Sequence, residues 1–361
     1  MQQIQKLMRS LVHSTNLWIR VIMKKITYII SLIILTGFTL LGAFERNQGH
    51  FRPIMMGTEN FARQQVFQDL HSIDTNQERA KALENWHIDW YEYDPKVPFT
   101  HAVGIRTGYF QESDGVDFRG NILYLQGLGD SMLNHRPFFE TLSKAGYRVI
   151  SFDYMGQGGS TGTMNHTRVY DKHFPSLSIH AIAEYVWQRH KRVDKAGKDH
   201  RTVIGWSTGG LAAYEMANRR WAHEVILIAP GLAPKYIIGK KFKITLDTLT
   251  SASYPKGKDP HVDPIKPTSP LKVPLFSTNL VTTSVLSQKW DISNEIRGLV
   301  FLGGKLDRYV HSDRVKKLIK KRASHFQVVQ YKDAYHEIDN EVPGISLDMY
   351  ARVINFLNKR R

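Results

Sequence analysis

Six residues in the middle of the chain, Gly205-Trp206-Ser207-Thr208-Gly209-Gly210, set a hydroxyl among the small residues needed to expose it. An apolar run at 202–204 precedes them, and the helix-forming sequence LAAYEMANRR follows. A serine on so tight a strand-to-helix turn has an exposed hydroxyl and a strained backbone. The residues two before and two after it crowd each other, so both must be nearly without side chains. Gly205 and Gly209 meet that need. The new helix also aims its free N–H groups and its positive dipole end at the serine, which suits a developing oxyanion. The chemistry these residues serve is attack on a carbonyl, with Ser207 as the nucleophile.

A serine nucleophile needs a base, and the base needs an orienting acid. For a serine on such a turn the expected chain order is serine, acid, histidine. Asp307 lies in GKLDRYV, just past an apolar run at 299–303, and His336 lies in DAYHE, just past a run at 326–331. His311 and His325 compete for the role of base, but they sit inside or at the end of the helical pattern between these runs. Asp313 and Asp333 compete for the role of acid. A dipole position in a helical first turn explains Asp313, and Asp333 is only three residues from His336 on the same loop.

These residues must be held by a scaffold, and the hydropathy pattern indicates which. Apolar runs at 121–126, 147–152, 202–205, 225–229, 299–303 and 326–331 alternate with amphipathic stretches at 137–145, 176–189, 209–219 and 312–322, and a last helix is expected at 347–357. Near-continuous apolar strands separated by helices predict an α/β class with a largely parallel sheet covered on both faces. Ligands then bind beyond the carboxyl ends of the strands, where the chemical residues lie. Residues 231–298 break the alternation. They are rich in Pro, Ser, Thr and Lys, carry Tyr236, Phe242, Tyr254, Phe276 and Trp290, and read as a cap or lid rather than a surface loop. Residues 59–86 read as polar and helical.

The motifs LYLQGLGDS at 123–131, FDYMGQGGSTG at 152–162, GWSTGG at 205–210, and GGKLDRYV with AYHEIDNE at 303–310 and 334–341 resemble those of the α/β-hydrolase superfamily. Within it they are most similar to the lysophospholipase and monoacylglycerol lipase branch, which shares its core with serine aminopeptidases. The resemblance covers about residues 105–358. It implies the α/β-hydrolase fold with a mostly parallel central sheet and a cap at about 231–298. It also implies Ser207 as nucleophile, His336 as general base and acid, Asp307 as its orienter, and an oxyanion hole formed by the backbone N–H groups of Leu128 and Thr208. The segment 153–162 is implied to be a structural turn beside the site. The implied activity is cleavage of lipid carboxylic esters through an acyl-enzyme, without metal or organic cofactor. A short-chain carboxylesterase or a serine aminopeptidase of the same fold is the alternative, and a non-catalytic scaffold fits poorly with an intact set of three groups. Two positions depart from the family. Gln126 stands where a histidine is usual, and Trp206 and Thr208 flank the serine where His and Met are frequent. The oxyanion donor is the backbone after Gly127, so Gln126 is expected to be tolerated, and Trp206 is expected to pack beside the turn.

Composition bounds the rest. With 361 residues, 42% apolar and 23% charged, the chain has the make-up of a globular protein, which excludes disorder, collagen and a multi-span membrane protein. It has no cysteine, so disulfides, thiolate zinc sites, iron–sulfur clusters and a cysteine nucleophile are excluded. The net charge of +16 is spread over several segments, with no arginine-rich arm or nucleic-acid-binding motif, which argues against a nucleic-acid partner. An anionic membrane surface is a candidate partner, since Lys316, Lys317, Lys320 and Lys321 recur at helical spacing, with simple solvation of that face as the equal alternative. Residues 231–298 hold ten cations against five acids, which disfavours capture of a substrate ammonium by the cap. Residues 26–44 are uncharged and follow Lys24 and Lys25. They read as an export signal cleaved after Ala43, or as an uncleaved anchor with its N-terminus inside. Met23 would make an ordinary start for such a signal. The expected organisation is a signal or anchor at 1–44, a helical extension at 45–100 and the hydrolase domain at 101–361, in an exported or envelope-anchored protein.

Overall fold

The computed structural model describes residues 50–53, 83–98, 100–193, 199–235, 245–255, 259–261, 263 and 273–359. The expected signal or anchor at 1–44 lies outside them, as does most of the helical reading of 59–86. Among the described residues no helix is long and apolar enough to cross a membrane.

Among the described residues, the compact unit of 48–171 and 175–361 is built on one sheet of nine strands. In chain order these are β1 (His50–Pro53), β2 (Trp86–Asp94), β3 (Val103–Phe110), β4 (Gly120–Leu125), β5 (Tyr147–Phe152), β6 (Thr202–Trp206), β7 (Glu224–Ile228), β8 (Arg297–Leu302) and β9 (Gln327–Gln330). Their order across the sheet is β1-β2-β3-β5-β4-β6-β7-β8-β9. From β5 to β9 all neighbours are parallel, as the apolar runs predicted. Side chains of β4, β6 and β7 are almost wholly buried, from Ile122 to Leu125, at Val203 and Ile204, and from Val225 to Ile228. Burial of each such aliphatic side chain is worth about 1.5–3 kcal/mol, which makes these strands the stable centre of the unit.

The parallel strands are joined by α1 (Arg136–Lys144), α2 (Ile179–His190), α3 (Thr208–Asn218) and α6 (Ser312–Arg322), and the described chain ends in α7 (Pro343–Asn358). The insertion between β7 and β8 contributes α4 (Leu246–Leu249) and α5 (Pro274–Ser287). The step from β4 to β5 runs one way across the sheet, and the step from β5 to β6 runs the other way. Right-handed crossovers therefore put α1 and α2 on opposite faces. Phe138 of α1 stacks on Tyr350 of α7 at 5.1 Å, and His180 of α2 meets Glu215 of α3 at 3.3 Å. The reversal leaves a crevice beyond β4 and β6, the place where such sheets bind ligands.

The expected helical extension at 45–100 is corrected by the structure. His50–Pro53 and Trp86–Asp94 are strands of the same sheet, so the sheet begins well before residue 101. With β3 they form its antiparallel edge. The sequence hid them for a physical reason. An antiparallel strand with one solvated face needs no continuous apolar run, and β2 reads WHIDWYEYD, with Tyr91 and Tyr93 buried among acids. In β3 the run is broken by Arg106 and Gly108, yet Arg106 is 1% exposed.

Candidate active site

β6 ends at Trp206, and Ser207 follows it with φ 53° and ψ −112°. A non-glycine residue held there costs about 1–3 kcal/mol and persists only when its surroundings fix it. They do. Its N–H donates to the Ile228 carbonyl at 2.9 Å, and its own carbonyl accepts from Gly231 at 2.7 Å and Leu211 at 3.2 Å. A Cβ on Gly205 would collide with the Gly209 backbone, and one on Gly209 would fall on the Leu125 carbonyl. The two glycines thus permit the turn for the reason the motif suggested. Gly209 N–H also donates to the Gln126 carbonyl at 3.1 Å, tying α3 to the loop after β4.

The structure brings Ser207, His336 and Asp307 together from the loops after β6, β9 and β8. Ser207 Oγ lies 2.8 Å from His336 Nε2, and His336 Nδ1 lies 3.0 Å from Asp307 Oδ2. Asp307 is fully buried and His336 is 2% exposed. The other Asp307 oxygen, Oδ1, accepts the N–H groups of Tyr309 at 2.8 Å and Val310 at 2.9 Å. Burial opposes ionisation of Asp307, but His336 and these two donors outweigh it and lower the carboxyl below its ordinary value. A carboxylate only accepts, so Nδ1 carries the imidazole proton and Nε2 is free to accept the serine hydroxyl. Such a set of groups can deprotonate Ser207 as it attacks a carbonyl.

The competing residues lie elsewhere. Asp313 is in the first turn of α6, and His311 caps that helix. His325 Nε2 contacts the Ile296 carbonyl at 2.9 Å. Asp333 is exposed.

Leu128 and Thr208 flank the serine from the loop after β4 and from the start of α3. Among the described residues, neither backbone N–H donates to a protein acceptor, which leaves both available to an oxyanion. The loop is pinned from the 153–162 turn. Gln157 Nε2 donates to the carbonyls of Gly127 at 2.8 Å and Asp130 at 2.9 Å, and its Oε1 accepts from Gly129 N–H at 3.1 Å. Gln126 is fully buried and points Nε2 at Asp153 Oδ1, 3.3 Å away, so the departure at 126 is absorbed inside the fold. Trp206 packs beside the turn. Its ring lies 5.4 Å from that of His336, and its Nε1 donates to the His336 carbonyl at 3.1 Å.

Several residues of the site were not legible in the sequence. Arg106 of β3 donates to Asp153 at 2.5 Å and to Asp263 of the insertion. Burial disfavours its charge, but the two carboxylates outweigh that and raise its pKa. A lone arginine in an apolar strand was the available signal. His135 is fully buried between Asp339 at 2.5 Å and Asp130 at 2.6 Å, and these acids raise its pKa well above the ordinary value against the effect of burial. The His135 ring stands 5.4 Å from Trp206, so this ion cluster backs the tryptophan that holds His336. A small crevice beside Trp206 is lined by Leu128, Gly129, Asp130 and Trp206, and by Thr245, Leu246, Leu249 and His261 from the insertion.

Comparison with known proteins bears on the fold. The family described as serine aminopeptidase, S33, matches over residues 117–273. No curated protein matches the sequence. Among solved structures, the chain is similar to a soluble variant of monoglyceride lipase from Saccharomyces cerevisiae in complex with a substrate analogue. That match has a TM-score of 0.57 and 16% identity, and covers 72% of this chain and 93% of the other. A highly thermostable carboxyl esterase from Bacillus coagulans in complex with glycerol is similar with a TM-score of 0.53 and 14% identity, over 76% of this chain and 98% of the other. At these identities the likeness concerns the fold.

Proposed function

We propose that this chain, an α/β-hydrolase by its sheet order and family resemblance, is a serine hydrolase that cleaves carboxylic esters of lipids. The observation that carries the reading is the 2.8 Å contact between Ser207 Oγ and His336 Nε2 at a turn whose strain is held from both sides. In this reading His336 takes the proton as Ser207 attacks the ester carbonyl, and the tetrahedral oxyanion rests on the N–H groups of Leu128 and Thr208. The alcohol leaves with the proton from His336, and water repeats the sequence on the acyl-enzyme. Asp307 holds the imidazole in the productive tautomer.

The lipid part of the reading is supported by the insertion, which brings Leu246 and Leu249 to the crevice beside Thr245 and His261. The monoglyceride lipase of like fold is consistent with it. A panel of monoacylglycerol, lysophospholipid, short-chain aryl ester and aminoacyl amide tests the assignment. Long-chain lipid esters are expected to have the highest kcat/KM and the amide the lowest. A preference for the amide would assign the protein to the aminopeptidases instead.

The same reading places the protein in the cell envelope, exported or anchored through residues 26–44, at an anionic membrane. In α6, Lys316, Lys317, Lys320 and Lys321 are exposed, while Val315, Leu318 and Ile319 are buried. Each cation near an anionic bilayer is worth about 1 kcal/mol. Replacing all four by Gln, in a chain that begins at Glu45, is expected to weaken binding to anionic vesicles by about a hundredfold or more, because four such terms add. Binding of the unsubstituted chain should also fade with salt, since screening acts within about 10 Å at 0.1 M. Hydrolysis of a soluble short-chain ester should not change. Co-sedimentation with anionic and neutral vesicles measures the effect, and equal binding by both chains makes this face a merely solvated one.

A further inference from the structure

The loop that carries His336 is built largely on the insertion. The N–H groups of His336 and Glu337 both donate to the carbonyl of Leu249, at 2.9 and 2.8 Å. Thr250 Oγ1 donates to the Asn340 carbonyl at 2.8 Å, and Tyr254 donates its hydroxyl proton to the same carbonyl at 2.5 Å. Ser251 N–H reaches the Glu341 carboxylate at 3.1 Å. Further along the insertion, His261 Nε2 lies 2.8 and 3.0 Å from the two carboxylate oxygens of Glu337, the residue next to His336. Glu337 is fully buried, and besides His261 it is met by Asn340 Nδ2 at 2.7 Å. None of these contacts touches the reacting atoms, yet together they fix both ends of the segment that presents the imidazole.

We infer that Leu249, Thr250, Ser251, Tyr254 and His261 of the insertion clamp the His336 loop, and that His261, acting through Glu337, is a positioning residue for the general base. The inference rests on the catalytic reading of Ser207 and His336. It makes the cap more than a wall of the acyl site, because moving it also moves the base. Half-buried and paired, His261 is faced by Glu337, Asp130 and His135. Burial and His135 oppose its charge, but Glu337 and Asp130 outweigh them and push its pKa up to about 9. The charged contact is therefore complete at neutral pH and is lost as pH rises through about 9.

The test compares the full chain with His261→Leu and Tyr254→Phe on a soluble short-chain aryl ester. Small displacements of a catalytic group cost up to about 10²-fold, so His261→Leu is expected to lower kcat about 10- to 100-fold with KM little changed. Tyr254→Phe should lower kcat about two- to tenfold, the effect of one ordinary hydrogen bond, and it carries the test if His261→Leu does not fold. Phosphonate labelling of Ser207 should slow by the same factors in each variant that folds, with its melting temperature recorded beside the rate. The wild-type rate should decline above about pH 9, and that decline should be absent in His261→Leu. Wild-type kcat in both variants, with changes confined to KM for long-chain esters, overturns the clamp. Failure of the phosphonate to label Ser207 in the wild type would overturn the catalytic reading itself.

Discussion

Ser207→Ala is expected to lower ester hydrolysis by about 10³- to 10⁶-fold, the range over which loss of a serine nucleophile leaves only residual catalysis. The substitution removes one oxygen. The backbone at 207 is held by Ile228, Leu211 and Gly231 through main-chain groups that alanine retains. The hydroxyl contacts His336. The melting temperature should therefore stay within a few degrees of wild type while activity disappears. A serine-reactive phosphonate should label the wild-type chain at Ser207 alone, as read by mass spectrometry of the digested protein, and should not label the variant. A variant of near-normal rate, or labelling at another serine, rejects Ser207 as the nucleophile.

The second large effect is expected at Asp307. Asp307→Asn keeps the size of the side chain, but its amide can donate where the carboxylate could only accept. With the new NH₂ group turned to His336, the imidazole favours the tautomer with its proton on Nε2, which cannot accept from the serine hydroxyl. A loss in kcat of up to about 10⁴-fold follows. Asp307 also receives the N–H groups of Tyr309 and Val310, so part of the loop geometry depends on it, and circular dichroism should be recorded with the rates. The controls are Asp313→Asn and Asp333→Asn, each expected to stay within about threefold of wild type because surface substitutions away from such networks change little. If Asp333→Asn is instead the crippling change, the orienting acid lies on the histidine loop.

Both positions are legible without the fold because their signals are local. Ser207 declares itself through Gly205 and Gly209, which the turn needs for want of space, and through the apolar strand and helix on either side. Asp307 and His336 follow fully buried or half-buried strands, and a buried parallel strand leaves a near-continuous apolar run. The parallel half of the sheet was legible for the same reason. The antiparallel edge was not. β2 alternates aromatic rings with acids, and β3 buries Arg106 inside an otherwise apolar strand. That burial is possible only because Asp153 and Asp263 come from residues 47 and 157 positions away.

The sequence by itself therefore determined the candidate groups Ser207, Asp307 and His336, their order and the parallel strands that carry them, since each depends on a few neighbouring residues. Only the tertiary structure decided what holds those groups in register. His135 between Asp130 and Asp339, Trp206 on the His336 carbonyl, and the insertion's hold on Glu337 join residues from 5 to 204 positions apart. Buried charges are tolerable only when paired, and spacing along the chain carries no record of which distant partner the fold will bring.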